Sequence, residues 1–393
     1  MFPPRSIQLV GSEGKLPTVA LLFVLGCGAV SSLAQTPHPA GFDSLSQRAS
    51  AAWNANRLDE AARLYRQALK VRPAWPEGWG YLASSLYQLK RYDEARQAYR
   101  QTTVLTPKNG PSWAWMALCE YELRDYQHAF SHFAQARKLG LGGDQPLVLN
   151  VAYRMAILWN TAGEFERGAM ELKIFNQLNQ KNSAVVEALG LSVLRMPKFP
   201  YEIPPAKHDL VMQAGEAGWE QNGQQLADAQ KLYRQLVAAY PSEPNVHYAY
   251  GYLLGEMWEL DQSLSEFERE LQITPRNVPA IVQAAVLALR LGQVEKSEKL
   301  ARGAIVLDPR NYAPHNLLGR ILTQRGDNAK GIQELEIATR LAPNNAQAHF
   351  NLAQAYQKTG KKEDAKREFA VFMKLNKDAG QDAAQASSPL RPD

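Results

Sequence analysis

The residues that most clearly suggest chemistry are two histidines, His128 and His132, in the segment QHAFSHF. Residues four apart lie on the same face of a helix, so two imidazoles could approach one metal ion. A zinc protease of the helical type has glutamate directly after the first histidine, whereas this chain has Ala129. Neither a full ligand set nor a second shell is evident. The sequence therefore predicts two solvated histidines and no metal site.

Other motifs that carry enzymatic chemistry are missing. The glycine-rich segment GLGGDQ, residues 140–145, is not preceded by a strand pattern, so we expect a helix end and a loop there rather than a phosphate-binding loop. The chain has no Walker motif, no nucleophile elbow and no Cys-x-x-Cys pair. We therefore predict no catalytic residue, no bound cofactor and no enzymatic activity.

The first residues differ in composition from the rest of the chain. Two basic residues precede a mostly apolar run, Leu16–Val30, and the small residues of SSLA follow it. A basic region, a short apolar region and small residues at a cleavage site are typical of a secretory signal. We predict a signal peptide at residues 1–34, with Gln35 as the first residue of the mature chain.

Two alternatives to simple cleavage stay open. The segment VLGC, which ends at Cys27, is similar to a bacterial lipobox and would place a lipid on that cysteine. A retained signal is the other alternative, although the apolar run is shorter than the roughly 20 residues that span a bilayer. The sequence thus predicts an exported protein, periplasmic or secreted, anchored to a membrane only through Cys27 or an uncleaved signal.

Cysteine usage and charge exclude further classes. The only cysteines are Cys27 and Cys119, so removal of the signal would leave no intrachain disulfide. Cys119 lies at an apolar helical spacing and is expected to be buried. The formal net charge is +5, from 44 Lys and Arg against 39 Asp and Glu, without a basic run. Nucleic-acid-binding surfaces concentrate basic charge on one face, so no nucleic-acid partner is predicted.

A pattern of fixed spacing occupies most of the chain. Pro-x-Asn is followed by an aromatic residue or histidine, then by Leu-Ala or Leu-Gly, then by Gly and Ala. The prolines are 34 residues apart: Pro73 and Pro107, then Pro241, Pro275, Pro309 and Pro343. A constant period of this length indicates a solenoid of stacked units. Apolar positions at helical spacing predict two helices in each period, separated by a turn.

The recurring residues have structural reasons. Proline ends the preceding helix, and asparagine caps the next one through its free N–H groups. Small residues let two helices approach to about 8–10 Å, and large aromatic residues fill the space between hairpins. The expected caps are Asn109, Asn277, Asn311 and Asn345; the small residues include Ala83, Ala117, Gly251, Ala285, Gly319 and Ala353; the aromatic residues are Tyr65, Tyr99, Phe133, Tyr233, Phe267 and Phe369.

These residues resemble the tetratricopeptide repeat, a 34-residue helix–turn–helix unit. The clearest matches are Trp79, Leu82, Ala83, Ala95, Tyr99 and Pro107, and later Leu352, Ala353, Tyr356, Gly360, Ala365 and Phe369. Full units are counted at 42–75, 76–109, 110–143, 149–182, 210–243, 244–277, 278–311, 312–345 and 346–379. The resemblance implies an all-α fold, an α-solenoid of antiparallel helix–turn–helix repeats in a right-handed superhelix. Gly168 departs from the usual alanine of the pattern.

The pattern breaks after residue 183. One helix is predicted there, but residues 195–209 hold four prolines within nine residues and favour an extended segment instead of a partner helix. We expect Phe199, Tyr201 and Ile203 to fold back onto the apolar side of that helix, at Val185, Val186, Leu189 and Val193. A tolerated loop between two arrays and a ligand-contacting arm or hinge are both open interpretations.

The resulting organisation has five parts. We predict a signal at 1–34, an N-terminal array at 35–182, a broken repeat at 183–209, a C-terminal array at 210–379 and a disordered polar tail at 380–393. The last helix also carries an apolar edge, which a partner or a second copy of the chain could cover. Its residues are Phe369, Val371, Phe372, Met373 and Leu375.

The resemblance also implies where a partner binds. In this family roughly the second, fifth, ninth, twelfth and thirteenth positions of each unit face a concave groove. They select Tyr87, Tyr121 and Tyr153, with Gln88 and Asn160, in the first array, and Tyr248, Tyr252, Asn316, Arg320, Gln324, Phe350, Gln354, Gln357 and Lys358 in the second. Aromatic and amide side chains of this kind suit a protein or peptide partner.

The function expected from this groove is that of a non-enzymatic protein-interaction scaffold in a bacterial cell envelope. The alternative is a lipid-anchored accessory subunit of an envelope assembly or secretion machine. An enzyme or a small-molecule binder would require a pocket near residues 195–222. Family members that bind the carboxylate tail of cytosolic chaperones use Lys and Asn at the fifth and ninth positions, and no unit here has that combination, so that function is set aside.

Overall fold

The computed structural model describes residues 41–386, with side chains described as far as residue 377. The predictions for residues 1–34, including a lipid on Cys27, lie outside the described residues. Residues 41–386 form α-helices and one 3-10 turn, with no β-strand among them. None of the helices in this range is long and apolar enough to cross a bilayer.

The helices follow one another closely along the chain. They are α1 Phe42–Asn54, α2 Leu58–Val71, α3 Pro76–Gln88, α4 Tyr92–Leu105, α5 Gly110–Glu122, α6 Tyr126–Leu139, α7 Gln145–Thr161, α8 Phe165–Glu171, α9 Lys173–Gln177, α10 Ser183–Val193, α11 Pro205–Asn222, α12 Leu226–Ala239, α13 Val246–Glu256, α14 Leu260–Ile273, α15 Val278–Arg290, α16 Val294–Leu307, α17 Tyr312–Arg325, α18 Asn328–Leu341, α19 Ala346–Lys358 and α20 Lys362–Ala386. The 3-10 turn is Pro200–Glu202.

Consecutive helices pair into hairpins. The pairs run from α1 with α2 to α5 with α6, and from α11 with α12 to α19 with α20. Between these runs of the chain, α7 is followed by two short helices, α8 and α9, in place of one, and α10 belongs to the broken repeat. The second helix of a hairpin contacts the first helix of the following one, as in α2 with α3 or α16 with α17. The predicted all-α solenoid of helix–turn–helix repeats is therefore confirmed.

The described chain divides into two compact units. The first unit comprises residues 41–188 and 197–203, and the second comprises residues 189–196 and 204–386. The first contains α1 to α9, and the second contains α11 to α20, so that each has its own run of stacked hairpins.

Every hairpin turn has the same backbone conformation at the same place. The fifteenth residue of each 34-residue repeat has a positive φ: Asn56, Lys90, Arg124, Gly163, Gln224, Trp258, Gly292, Gly326 and Gly360. In the second hairpin the Lys90 N–H donates to Tyr87 and the Arg91 N–H donates to Leu86, which satisfies carbonyl groups at the helix end. The turn geometry is thus fixed by the backbone, and several repeats accept the cost of a side chain at this position.

The predicted caps and packing residues take their expected places. The side chains of Asn109, Asn277, Asn311 and Asn345 each accept a hydrogen bond from a backbone N–H in the first turn of the next helix. The aromatic residues of the second helices are fully buried in the inner hairpins, at Tyr65, Tyr99, Phe133, Tyr233 and Phe267. At Gly319 an added Cβ would lie 2.6 Å from Leu335 Cγ, so the close helix approach requires glycine there.

Histidine at the fourth position of a 34-residue repeat connects three segments of the chain through hydrogen bonds. His247 Nδ1 lies 2.5 Å from Glu266 Oε2 in the second helix, and its Nε2 lies 3.1 Å from the Pro241 carbonyl oxygen, before the unit begins. The same clamp is formed by His315 with Glu334 and Pro309, and by His349 with Glu368 and Pro343. In the first unit Trp79 and Trp113 occupy this position and donate to the carbonyls of Pro73 and Pro107.

The chemistry of the clamp sets its protonation. A carbonyl oxygen and an ionised carboxylate both only accept hydrogen bonds, so a ring that bonds to both must carry two protons. The hydrogen bond with Glu266 accordingly raises the pKa of His247 above its ordinary value. The His247 clamp is therefore a buried ion pair between the two helices of its hairpin. All three clamps also bind the carbonyl of the proline that ends the previous hairpin.

The fourth repeat departs from the pattern for a local reason. Asn160 is fully buried and donates from Nδ2 to the Ala188 carbonyl oxygen at 3.1 Å. A Cβ added at Gly168 would lie 2.1 Å from Asn160 Oδ1, so the usual alanine does not fit. The prediction that Asn160 faces a groove is wrong, because its side chain is buried inside the first unit and its amide donates a hydrogen bond there.

The break in the pattern is shorter than the sequence predicts. Residues 195–204 lack a long helix, but α11 begins at Pro205, where proline is tolerated because the first helical residue needs no N–H donor. A Cβ added at Gly190 would lie 1.9 Å from the Val211 carbonyl oxygen, so α11 packs closely against the end of α10. The expectation of an extended segment as far as residue 209 is therefore wrong. Helix α11 is the first helix of the hairpin that it forms with α12, so it is not the missing second helix of the broken repeat.

The aromatic residues of this segment also contact a different surface from the one predicted. Phe199 stacks on Tyr126 with ring centroids 4.6 Å apart, and Tyr201 stacks on Phe199 at 5.3 Å. The Arg124 guanidinium lies 5.3 Å over the Tyr201 ring. Phe199 and Tyr201 therefore lie against the third repeat, a surface that the sequence analysis did not predict. Tyr126 holds both of them, through its ring and through its hydroxyl, which lies 3.4 Å from the Tyr201 hydroxyl.

The C-terminal helix continues further than expected. Helix α20 ends at Ala386, whereas a disordered tail was predicted from residue 380. Residues 383, 384 and 386 are alanine, the residue with the highest helix propensity, which accounts for the extension. At the predicted apolar edge Phe369 and Phe372 are half-buried and Met373 is 65% exposed. Self-association through this edge stays a prediction.

The His247 clamp predicts a specific pH dependence of stability. Because the folded-state pKa is raised, the clamp stabilises fully below the unfolded value near 6.5 and weakens as pH rises through the folded value. We expect His247→Gln to lower the free energy of unfolding in urea by about 2 kcal/mol near pH 6, and by less toward pH 9. The matched control is His208→Gln, at an exposed histidine of the same unit. A penalty that is constant across this pH range would contradict the charged clamp.

The stack on the third repeat predicts unequal roles for two neighbouring aromatic residues. Phe199→Ala removes a half-buried ring and its contact with Tyr126, so we expect a loss of about 1–2 kcal/mol in the stability of the first unit. Tyr201 is 56% exposed, and Tyr201→Ala should cost clearly less. Hydrogen exchange of the amides in α6 measures both. Equal protection in the wild type and in Phe199→Ala would refute a stabilising contact.

Candidate functional site

The groove-facing helices of the second unit form a pocket. It has a volume of about 140 Å³ and is lined by side chains from three consecutive first helices and the turns before them. The lining residues are Val282, Val286, Tyr312, Ala313, Asn316, Leu317, Arg320, Asn345 and Gln347. Ligand pockets for whole small molecules usually exceed about 300 Å³, so this one suits one or two side chains of a larger partner.

A ladder of amides forms one side of the pocket. Asn351 donates from Nδ2 to Asn316 Oδ1 at 2.9 Å, and Gln347 donates from Nε2 to Asn351 Oδ1 at 3.0 Å. These bonds occupy the Asn316 carbonyl oxygen and leave its NH₂ group as a donor. The Tyr312 hydroxyl accepts from Asn345 Nδ2 at 2.9 Å, which leaves the hydroxyl proton available. The ladder thus presents hydrogen-bond donors at Asn316 and Tyr312.

Arg320 supplies a positive charge to the pocket. It is exposed, and it has no ion pair or hydrogen bond with another side chain among residues 41–377. Val282 and Val286 from the preceding repeat provide an apolar wall beside it. A cation with two neutral donors and an apolar wall can hold a carboxylate that lies next to an aliphatic group.

The other predicted residues of the second unit divide into packed and exposed positions. Tyr248 is buried, because the Arg195 guanidinium lies 4.9 Å over its ring. Phe350 packs on Phe372 of its own hairpin, with centroids 5.0 Å apart. The Lys358 ammonium donates to the Thr323 carbonyl oxygen. Tyr252, Gln324, Gln354 and Gln357 are exposed. The structure therefore brings only Asn316 and Arg320 of the predicted set into the pocket.

In the first unit one of the predicted tyrosines, Tyr121, packs on the half-buried Arg154. The Arg154 guanidinium lies 5.3 Å over the Tyr121 ring and donates to Glu122 Oε1 at 2.9 Å and to Asn150 Oδ1 at 2.8 Å. Burial raises the pKa of the Tyr87, Tyr121 and Tyr153 hydroxyls. Tyr153 is 3% exposed, so it is a packing residue, while Tyr87 and Tyr121 are half-buried and Gln88 is exposed.

The histidine pair lies on one helix and the glycine-rich loop follows that helix; His128 is exposed as predicted, whereas His132 is half-buried. His128 and His132 both lie on α6, with side chains 66% and 24% exposed. Within the described residues no three or more His, Cys, Asp or Glu side chains form a metal-holding group. Helix α6 ends before Gly140, and Asp144 caps α7, so residues 140–145 form a helix end and a loop. Cys119 is buried, which raises the pKa of its thiol well above the ordinary value.

The sequence analysis did not select most of the pocket residues, and three of those that it missed hold groove positions of the repeat. Val282 and Val286 hold the fifth and ninth positions of their unit, and Gln347 holds the second position of its unit. The repeat register alone identifies these positions. The valines were passed over because an apolar residue on a helix is usually a core residue.

Comparison with known proteins agrees with this register. Models described as "Tetratricopeptide repeat" match residues 46–112 and 346–378, and a model described as "TPR repeat" matches residues 319–360. The chain is 20% identical over 199 residues to anaphase-promoting complex subunit 3 of Schizosaccharomyces pombe, which covers 51% of this chain and 28% of that protein. It is 24% identical over 123 residues to tetratricopeptide repeat protein 7B of Homo sapiens, covering 30% and 15% respectively.

Solved structures that match the chain share little sequence with it. The crystal structure of the APC/C hetero-tetramer Cut9–Hcn1 is 12% identical with a TM-score of 0.40, over 86% of this chain and 87% of that chain. The chain spans less than a third of the length of each of the two curated relatives. With repeat models matching in both units, on hairpins that keep a 34-residue register, the chain is a tetratricopeptide repeat protein.

Proposed function

We propose that this chain is a non-enzymatic scaffold that holds a segment of a partner protein in the groove of its second unit. The observation that carries the proposal is the pocket in which the unpaired Arg320 and the donor side of Asn316 face an apolar wall. Repeat arrays of this kind offer extended surfaces for partners rather than enclosed reaction sites. The small volume of the pocket fits that role.

The chemistry of the pocket defines the segment that it recognises. Arg320, Asn316 and Tyr312 all donate, so the complementary group is an acceptor with negative charge, such as an Asp or Glu side chain. Val282 and Val286 favour an aliphatic residue next to that acid. Exposed amides at Gln354 and Gln357 lie on the next repeat of the same unit and can bond to a peptide backbone.

The binding experiment uses random peptides displayed on phage and selected on the immobilised protein. Enriched peptides should share an acidic residue beside an aliphatic one. For a synthetic peptide with the enriched sequence, Arg320→Ala and Asn316→Ala should each weaken binding about tenfold or more, because a hydrogen bond to a charged group is worth about 1.5–3 kcal/mol.

The matched control is Arg276→Ala, which removes an exposed arginine of the same unit outside the pocket. Peptides without an acidic residue in common, or an equal loss from Arg276→Ala and Arg320→Ala, would refute the pocket as the binding site.

We further propose that the scaffold acts in a bacterial cell envelope, on the basis of the amino-acid sequence of residues 1–34. The intact mass of the protein from envelope fractions distinguishes the two routes. A mature chain that begins at Gln35 supports a free exported scaffold, and a mass that includes a lipid on Cys27 supports the anchored accessory subunit. A full-length, unprocessed chain found in the cytoplasm would exclude both.

A further inference from the structure

The histidine pair on α6 has an organisation that the sequence does not reveal. His128 Nδ1 lies 2.8 Å from Asp125 Oδ1, and His132 Nδ1 lies 2.7 Å from Glu120 Oε2. Each ring is therefore oriented by a carboxylate through the same nitrogen. The two rings lie on one face of the helix, with centroids 6.2 Å apart and planes inclined by 28°.

The carboxylates leave the other nitrogen of each ring open. With Nδ1 donating to a carboxylate, a neutral imidazole keeps its lone pair on Nε2. Neither His128 Nε2 nor His132 Nε2 has a hydrogen-bond partner in the described part of the chain. In the clamps, by contrast, His247, His315 and His349 spend Nε2 on a proline carbonyl. The α6 pair differs from the clamps, because both of its Nε2 atoms can still accept a metal ion or a hydrogen bond.

A carboxylate behind each imidazole is the arrangement found at protein metal ligands. It fixes the tautomer and ring orientation and makes the outward nitrogen a better ligand. Imidazole nitrogens suit zinc, copper and nickel ions. The charge nearby is also favourable, since Asp125 and Glu120 offset the Arg96 guanidinium that lies 3.7 Å from Asp125 Oδ2.

We propose that His128 and His132 form an open two-histidine site for a divalent transition-metal ion, with Zn²⁺ as the representative ion. The two Nε2 atoms ligate the ion, and water completes the coordination. His132 is held by Glu120 and by the Trp113 ring at 5.2 Å, whereas His128 is 66% exposed and the proposal requires its side chain to move toward His132 while Nδ1 keeps its hydrogen bond with Asp125. A site with two protein ligands is exchangeable rather than structural, and it can accept a further ligand from a partner.

The experiment is calorimetric titration of ZnCl₂ into the full chain in a non-coordinating buffer. We expect one Zn²⁺ per chain, with affinity reduced at least tenfold by His128→Ala and by His132→Asn. Asp125→Asn should weaken binding about tenfold, since loss of a carboxylate behind a metal-binding histidine typically costs 10–100-fold. The ring proton signals of His128 and His132 in NMR spectra should both change on addition of Zn²⁺.

His208→Ala is the matched control, because His208 is exposed and lies on α11, in the second unit. Far-UV circular dichroism confirms that the variants fold, and His128→Ala changes an exposed ring that the core does not need. Wild-type affinity in His128→Ala, an equal loss in His208→Ala, or histidine signals that do not respond to Zn²⁺ would each overturn the site.

Discussion

The structure depends on one constraint: a single helical hairpin cannot bury its own apolar faces, so each one must be covered by the next. Tyr65, Phe133 and Phe267 occupy equivalent places in three repeats, and at most 2% of the surface of each residue is exposed to solvent. Their burial requires the following hairpin to arrive at a fixed distance and angle. The constant spacing of 34 residues is the length of chain that makes this possible. The clamps and caps then fix how one hairpin enters the next.

The fold was predictable from the sequence because this constraint is local. Prolines, caps, small crossing residues and buried aromatic residues repeat at the same positions, so each repeat supports the interpretation of the others. The role of His247, His315 and His349 was partly visible as an aromatic residue or histidine after Pro-x-Asn. Their partner glutamates lie in the second helix, each 19 residues after its histidine, and this constant spacing is a signal in the sequence that was missed.

The candidate site was less predictable. Family positions led to Asn316 and Arg320, but the same positions also pointed to Tyr248 and Phe350, which turn out to be covered by Arg195 and Phe372. The position of a residue in the repeat predicts the direction of its Cα–Cβ bond, but it does not predict which neighbouring side chains cover it. The segment after α10 shows the same limit. Its apolar side chains were expected on α10, but nothing in the repeat pattern indicates that Phe199 stacks on Tyr126 of the third repeat.

The Asn160 and Gly168 pair has a consequence for engineering the array. Consensus design would restore alanine at position 168, since that residue is usual there in the family and favours helix. Here the new methyl group would meet the Asn160 side chain, whose amide also holds the Ala188 carbonyl. The two sites are therefore epistatic: the alanine that stabilises an ordinary repeat harms this one unless residue 160 is made smaller at the same time.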